Sequence, residues 1–337
     1  MHVKKKRRVK KKVLVYVIIL IILYLIILFF KYKTALNNKN YQSKILNFVN
    51  NNLSIEREKS YNECIAKEYT ESDMTDEIKN KIEEIDKYIK ENYEASVYYE
   101  DINTGFKYTY NENTVYYGAS LIKLVEAMYI FDEAEKGNID INDTLTYKSK
   151  YIEAYSDGME KHKIGDDVSI KELISYAIMY SDNSAHFMLS DYIGTDNLKA
   201  YGKKLGAKYT LYGTDTFGSQ TAYDTNIYLK HANEIIENSK EYGPLLKQYM
   251  MNTYYNSLYL TDKDSNNVAH KYGWYSYYYH DIGIVYETRP YYISILTLHG
   301  NDDYEKVVRN IHKKVNELHH LYYKNRQQLC KDKIYGN

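Results

Sequence analysis

Segments with the character of β-strands stand at both ends of a long helical stretch. The turn Asn103-Thr104-Gly105 separates two such segments, residues 95–101 and 106–110, which predicts a hairpin. Three further strand-like runs follow near the C-terminus, at residues 268–275, 282–286 and 291–298. Strands this far apart in sequence bury their apolar faces most simply in one antiparallel sheet. The order therefore predicts an α+β fold, an antiparallel sheet with flanking helices plus a helical subdomain.

Helical periodicity fills the positions before, between and after these strands. Thr75 is a suitable N-cap, and isoleucines at helical spacing continue from there to about residue 92. In the middle of the chain, the same periodicity predicts helices over about 120–137, 169–180, 183–193, 195–206, 224–236 and 245–251. A last helix is predicted over 304–321. A cleft between the sheet and the helical middle is the natural place for a functional site.

The N-terminus has the composition of a membrane anchor. Residues 1–12 are strongly basic, and residues 13–30 form an apolar run that spans about 27 Å as a helix. Basic flanks stay in the cytoplasm, so this pattern predicts a single-pass cell-membrane protein with its functional domain outside the cell. A cleaved signal peptide is the alternative, although the site after the run is weak. A polar stalk over 31–74, a domain over 75–325 and a C-terminal tail over 326–337 complete the predicted organisation.

The net charge and the two cysteines indicate which kinds of binding partner the chain is expected to lack. The formal net charge is +0, which gives no indication of a nucleic-acid partner. Cys64 and Cys330 fit no metal-ligand spacing, and no glycine-rich phosphate loop is present, so neither a metal nor a cofactor is expected. If the chain is exported, the two cysteines can form a disulfide, and two free thiols are the alternative.

A serine and a lysine stand three positions apart where the helix near residue 120 begins. Positions i and i+3 lie on one side of a helix, so Ser120 and Lys123 are expected to face the same space. A serine hydroxyl becomes a good nucleophile when a neighbouring base takes its proton, and a lysine with a lowered pKa can be that base. Such a pair also arises by chance on exposed helices, so its interpretation depends on the rest of the chain.

Two further motifs supply that support. Ser181-Asp182-Asn183 lies between two predicted helices, and Lys271-Tyr272-Gly273 lies in a predicted strand. The ordered set S-x-x-K, S-D-N and K-x-G resembles the penicillin-recognising serine hydrolases, specifically the class A β-lactamase family and the related penicillin-binding proteins. The resemblance covers about residues 76–325. It implies a β-lactamase/transpeptidase-like fold, here preceded by the predicted transmembrane helix.

The resemblance also implies catalytic roles for four side chains. Ser120 would be the acylated nucleophile, and Lys123 would take or relay its proton. Ser181 would pass a proton to the leaving nitrogen, and Lys271 would assist beside it as a cation. The substrate would be a β-lactam or a peptidoglycan stem peptide ending in D-alanyl-D-alanine, which connects the protein with antibiotic resistance or the cell wall.

Substrate-binding roles follow from the same resemblance. Asn183 would hydrogen-bond the amide side chain of the substrate. Tyr272, Gly273 and Trp274, which follow Lys271 on the predicted strand, would also bind the substrate. The backbone N–H groups of Ser120 and Trp274 would form an oxyanion hole. Asp182 is expected to hold its loop.

Two departures from the family pattern bear on function. The third motif usually has Thr or Ser after its lysine, whereas this chain has Tyr272, which puts recognition of a substrate carboxylate in question. Class A enzymes carry a glutamate that activates the deacylating water, and this chain has no glutamate between Glu172 and Glu234. Asp215 is the only carboxylate in the corresponding loop. The expectation is therefore an acyl-enzyme with slow deacylation, and the alternative is a non-catalytic penicillin sensor or cell-wall scaffold.

Overall fold

The computed structural model describes residues 2–33, 39–210, 216–261, 263, 267–298 and 303–336. The chain divides into two units, Met1–Asn62 and Glu63–Asn337. The first unit contains helix α1 (His2–Lys33) and most of helix α2 (Lys39–Ile65). The anchor predicted at residues 13–30 lies within α1, but none of the described helices is long and apolar enough to span a membrane.

The second unit is built on a five-stranded antiparallel sheet. In chain order the strands are β1 (Glu94–Asp101), β2 (Lys107–Tyr110), β3 (Tyr116–Tyr117), β4 (Thr144–Thr146), β5 (Asp167–Ser169), β6 (Ser219–Gln220), β7 (Val268–Tyr275), β8 (Tyr278–Val285) and β9 (Tyr291–Leu298). The main sheet has the order β2-β1-β9-β8-β7, and the other four strands form two small two-stranded sheets. β1 pairs with β9, so the early and late strands share one sheet and the predicted α+β architecture is confirmed.

The hairpin between β7 and β8 is tighter than the sequence pattern predicts. Tyr275 pairs directly with Tyr278, so β8 begins before residue 282, where the pattern placed its start. Ser276, inside the two-residue turn, has a φ of 53°. Two-residue hairpin loops require such positive φ values, because their twist then matches that of the strands.

The described residues of this unit also form eight further helices. They are α3 (Asp76–Asn92), α4 (Ile122–Glu135), α5 (Ile170–Met179), α6 (Asn183–Ile193), α7 (Thr195–Leu205), α8 (Ala222–Asn238), α9 (Tyr242–Met251) and α10 (Tyr304–Tyr335). Side-chain caps fix several starts: Thr75 Oγ1 accepts from Ile78 N at 3.3 Å, and Ser169 Oγ accepts from Glu172 N at 3.2 Å. The terminal helices α3 and α10 pack on each other and on the sheet.

Helix α4 is the centre of the helical part. It packs against α5, α6, α7, α8 and α9, and its side chains Leu124, Val125 and Met128 are fully buried. The apolar side chains of α4 are distributed around its whole circumference, as expected for a helix that other helices surround. This burial fixes the start of α4, and therefore Ser120 and Lys123, against the sheet.

Helix α10 extends through most of the segment predicted to be a tail from residue 326. Arg326 is buried and donates to the Ile65 carbonyl oxygen at 2.8 Å and to Asp73 Oδ2 at 3.1 Å. Cys330 forms a disulfide with Cys64, which decides between the two alternatives left open by the sequence. The C-terminal helix is thus covalently tied to the end of α2.

Candidate active site

Ser120 lies where β3 ends and α4 begins. A short 3₁₀ turn, Ala119–Leu121, leads into α4, and Ala119 adopts a φ of 45°. Gly118 precedes this turn, and a β-carbon there would lie 2.8 Å from the Phe217 carbonyl oxygen. Only glycine therefore fits at residue 118. The turn holds the Ser120 side chain at the wall of a cavity, although the residue is only 8% exposed.

The Lys123 ammonium lies next to Ser120, as the helical spacing predicts. Its Nζ is 2.9 Å from Ser120 Oγ and 2.8 Å from Asn183 Oδ1. It also donates to the Ser181 carbonyl oxygen and lies 3.4 Å from Ser181 Oγ. The Phe217 ring is on another side, with its centroid 5.7 Å from Nζ. Lys123 is therefore surrounded by both serines, one amide and one aromatic ring.

Burial makes Lys123 suitable as a base. Desolvation lowers its pKa to about 7, although the carboxylates of Glu126 and Asp182 oppose the shift. Near neutral pH a large fraction of the amine is then unprotonated and has a lone pair that can accept a proton. A serine proton 2.9 Å away is within reach of that lone pair.

The S-D-N motif forms the turn between α5 and α6. Asp182 is fully buried and caps α6, accepting from Ala185 N at 2.8 Å and from Met159 N at 2.8 Å. Ser181 has a φ of 57°, a strained value for a serine. Asn183 Nδ2 donates to the Ala154 carbonyl oxygen at 2.9 Å. These contacts give Asp182 the loop-holding position that the sequence predicts for it.

Lys271 on β7 brings a second amine to Ser181. Its Nζ lies 2.9 Å from Ser181 Oγ and 2.6 Å from the Tyr272 carbonyl oxygen, and the residue is fully buried. Desolvation, followed by repulsion from Lys123, lowers the pKa of Lys271 well below its usual value. Ser181 Oγ thus bridges two amines, which gives a hydrogen-bonded path from Ser120 through Lys123 and Ser181 to Lys271.

β7 is an edge strand of the main sheet and runs beside Ser120. Gly273 makes this approach possible, since a β-carbon there would lie 3.2 Å from Ser120 N and 3.2 Å from the Gly118 carbonyl oxygen. Trp274 and Tyr272 both line the cavity. Trp274 is 42% exposed, whereas Tyr272 is buried. Of the eight predicted positions, Ser120, Ser181, Asn183, Tyr272 and Trp274 line the cavity. The other three, Lys123, Lys271 and Gly273, lie behind the lining and contact it.

The space between these elements is a cavity of about 550 Å³. Among the described residues, most non-glycine positions with positive φ line it: Ala119, Tyr155, Ser181 and Ser276. Strained backbone is enriched at functional sites, where the surrounding packing maintains it. The wall also contains two phenylalanines that the sequence analysis did not single out, Phe187 and Phe217.

A buried acid–imidazole pair lies behind these phenylalanines. His186 Nδ1 is 2.9 Å from Glu126 Oε1, both side chains are fully buried, and the His186 ring is 4.6 Å from the Phe217 ring. Glu126 follows Lys123 by three positions on α4, which is the sequence signal that could have identified it. Asp215, the carboxylate that the sequence offers for deacylation, lies outside the described residues.

Glu287, His319 and His320 form a possible metal-binding group. One donor atom from each lies within 4.8 Å of the others. His319 Nδ1 is hydrogen-bonded to the Tyr99 hydroxyl at 2.7 Å. None of the three lines the cavity beside Ser120.

Comparison with known proteins gives one family and a consistent fold. The profile of the β-lactamase enzyme family matches residues 77–318. A variant of PBP-A, solved as an acyl-enzyme complex with penicillin G, is 18% identical, with a TM-score of 0.66 over 72% of this chain and 97% of that chain. TLA-1 extended-spectrum β-lactamase is 23% identical, with a TM-score of 0.65 over 71% and 98%.

A third solved structure agrees with these two. The β-lactamase from Sphaerobacter thermophilus is 14% identical, with a TM-score of 0.63 over 72% of this chain and 97% of that chain. No curated protein sequence matches the chain. The likeness to the three structures establishes the fold of the second unit.

Proposed function

Because the chain belongs to the β-lactamase enzyme family, we propose that Ser120 attacks the carbonyl carbon of an amide acyl donor and forms an acyl-enzyme. The donor is a β-lactam or the D-alanyl-D-alanine end of a peptidoglycan stem peptide. One observation carries the proposal: Ser120 Oγ lies 2.9 Å from the amine of a fully buried lysine whose pKa is lowered to about 7. Such a pair is an activated nucleophile.

Acylation needs two proton transfers. Unprotonated Lys123 accepts the Ser120 proton while Oγ bonds to the carbonyl carbon, giving a tetrahedral oxyanion. Ser181 then donates its hydroxyl proton to the leaving nitrogen as the carbon–nitrogen bond breaks. The proton that Lys123 has gained returns to Ser181 Oγ across the 3.4 Å separation, and Lys271 stabilises the transient alkoxide from 2.9 Å. The amines thus return to their starting protonation states.

The oxyanion is expected to bind to backbone N–H groups of Ser120 and Trp274. Gly273 lies on β7 where this strand faces the serine turn, and its lack of a side chain sets how closely the strand approaches Ser120. We expect Gly273→Val to slow acylation about 10²-fold, since misplacement by about 1 Å has effects of that size. The rate of adduct formation with excess benzylpenicillin checks this. An unchanged rate in the folded variant would show that the approach of β7 to Ser120 does not matter.

We propose that deacylation is slow. Among the described residues, no carboxylate forms an ion pair or hydrogen bond with Lys123, and the Phe217 ring centroid lies 5.7 Å from its Nζ. Among the described residues that line the cavity, the carboxylates are Glu153 and Asp157, and both are exposed. Glu126 is buried against His186 and is not a lining residue. These positions support a cleft that acylates readily but in which none of the described residues fixes a carboxylate base beside the ester for a water molecule.

A fluorescent penicillin tests both parts of the proposal. We expect covalent labelling of the full chain, loss of labelling in Ser120→Ala, and turnover of nitrocefin that is slow or undetectable. Absence of labelling in the folded wild-type protein would contradict the proposal and favour the non-catalytic sensor or scaffold. Fast nitrocefin hydrolysis would contradict slow deacylation alone.

We also propose that the domain acts outside the cytoplasm, at the cell surface. The disulfide between Cys64 and Cys330 supports this location, because disulfides persist mainly in oxidising compartments. Attachment to the membrane through the N-terminal segment, with the N-terminus in the cytoplasm, stays a prediction from the basic residues and the apolar run.

A further inference from the structure

Tyr272 covers the second amine of the site. Its ring centroid lies 4.1 Å from Lys271 Nζ, and its hydroxyl donates to the Tyr180 carbonyl oxygen at 3.3 Å. The Tyr255 and Tyr272 rings pack in a T-shaped arrangement, with their centroids 4.8 Å apart. Tyr272 is only 4% exposed. The phenol proton is therefore already engaged, and a substrate anion has no direct contact with Lys271 unless Tyr272 moves.

The neighbour of Tyr272 across the sheet is an acid. Asp281 on β8 pairs with Tyr272 in the register, and directly opposed residues of an antiparallel pair share one face. Asp281 is fully buried. Its Oδ1 lies 2.9 Å from His270 Nδ1, and its Oδ2 accepts a hydrogen bond from Ser257 Oγ. This network places a hydrogen-bonded carboxylate beside the phenol, on the same face of the sheet.

The cavity itself contains further negative charge. Glu153 and Asp157 line it and are exposed, and none of its described lining residues is lysine or arginine. Burial, then the neighbouring Tyr255, and after these the carboxylates of Asp281 and Asp157, raise the pKa of Tyr272. The phenol is thus neutral, and among the described lining residues an entering carboxylate would meet two carboxylates and no ammonium or guanidinium group.

We infer that this cleft accepts acyl donors whose leaving side is uncharged or cationic, and that it does not depend on a free carboxylate next to the scissile bond. The inference rests on the proposed acylation of Ser120 and names its substrate class: amides and esters whose carboxylate is blocked, or which carry an amine there. The exposed rings of Tyr155 and Trp274 at the cavity wall suit such groups, because aromatic faces attract cations and apolar surface.

A matched pair of acyl donors tests the inference on the unmodified full chain. Benzylpenicillin and its methyl ester differ only in the charge of the carboxylate, and the rate of adduct formation is followed by intact-protein mass spectrometry. We expect the ester to react at least as fast as the acid. A site that used a charge-assisted hydrogen bond to the carboxylate would lose about tenfold or more with the ester.

The possible outcomes separate the two proposals. An acid that reacts more than tenfold faster than the ester would overturn the carboxylate-independent cleft and leave the acyl-enzyme proposal standing. Failure of both compounds to react would contradict the acyl-enzyme proposal, and the inference would fall with it.

Two variants locate the cause in Tyr272. Tyr272→Thr uncovers Lys271, so we expect the ratio of acid to ester rates to rise about tenfold or more. Tyr272→Phe is the matched control, because it keeps the covering ring and removes only the hydroxyl, and its ratio should stay near that of the wild type. A ratio that is the same in Tyr272→Thr as in the wild type, with the melting temperature preserved, would show that the ring does not exclude the anion.

Discussion

Replacement of Lys123 by methionine is expected to slow the acylation of Ser120 by about 10³-fold, because positioned general bases contribute about 10²–10⁴-fold. Methionine has nearly the same length as lysine and fills the same buried space without an amine. The loss has a specific cause: Ser120 Oγ lies 2.9 Å from Lys123 Nζ, and no carboxylate or imidazole among the described residues makes a hydrogen bond to Ser120. Adduct formation with benzylpenicillin under excess reagent measures the rate.

Lys136→Met is the matched control for this variant. Lys136 follows the last turn of α4 and forms an exposed ion pair with Glu133, 2.6 Å away. Its replacement should leave the acylation rate within about twofold of the wild type, since surface ion pairs contribute little. Equal rates in Lys123→Met and Lys136→Met would show that the buried amine is not the base.

The same amine predicts the pH dependence of acylation. Lys123 is active as a base when unprotonated, and burial lowers its pKa to about 7. The acylation rate should therefore rise with pH through about 7 and level off above it. A rate that is flat between pH 5.5 and 8.5 would contradict this assignment, because the unprotonated fraction changes greatly across that interval.

Loss of the disulfide is expected to have the largest effect on stability. Cys64 and Cys330 are 266 residues apart, so the bond closes most of the chain and restricts the unfolded state strongly. We expect the double variant Cys64→Ala/Cys330→Ala to lose about 3–5 kcal/mol of unfolding free energy, the upper part of the usual range. Urea unfolding with and without a reducing agent measures the difference.

The reducing agent supplies an internal control. It should destabilise the wild type by about the same amount and leave the double variant unchanged, since no other cysteine exists in the chain. Arg326 should limit the loss, because its hydrogen bonds to the Ile65 carbonyl oxygen and to Asp73 hold α10 without the covalent bond. If reduction leaves the wild-type midpoint unchanged, the disulfide does not form in the protein.

Local patterns predicted the parts of the site that depend on short-range geometry. Ser120 and Lys123 meet because positions i and i+3 of a helix always lie on one side. Asp182 caps α6 because aspartate is a preferred N-cap residue, whose side chain accepts from a free backbone N–H of the first turn. The strand order around the long helical stretch predicted a shared antiparallel sheet, since distant strands must bury the same kind of face.

Long-range packing determined the rest. The register that opposes Asp281 to Tyr272 depends on the tight turn at Ser276, and the sequence pattern started β8 too late to reveal it. The contact of Phe217 with Lys123 joins two residues that are far apart in the chain, and periodicity gives no signal for such a contact. The covering of Lys271 by the Tyr272 ring is a side-chain arrangement between two neighbouring residues, and only the packing of Tyr255 and Tyr180 selects it.

Mass spectrometry of the full chain after incubation with benzylpenicillin tests the central claim most directly. The account predicts one covalent adduct per chain, located by peptide mapping at Ser120 and absent from Ser120→Ala with the fold retained. An adduct that survives in Ser120→Ala, or a folded wild-type protein that gains no mass from either the acid or its methyl ester, would contradict the account.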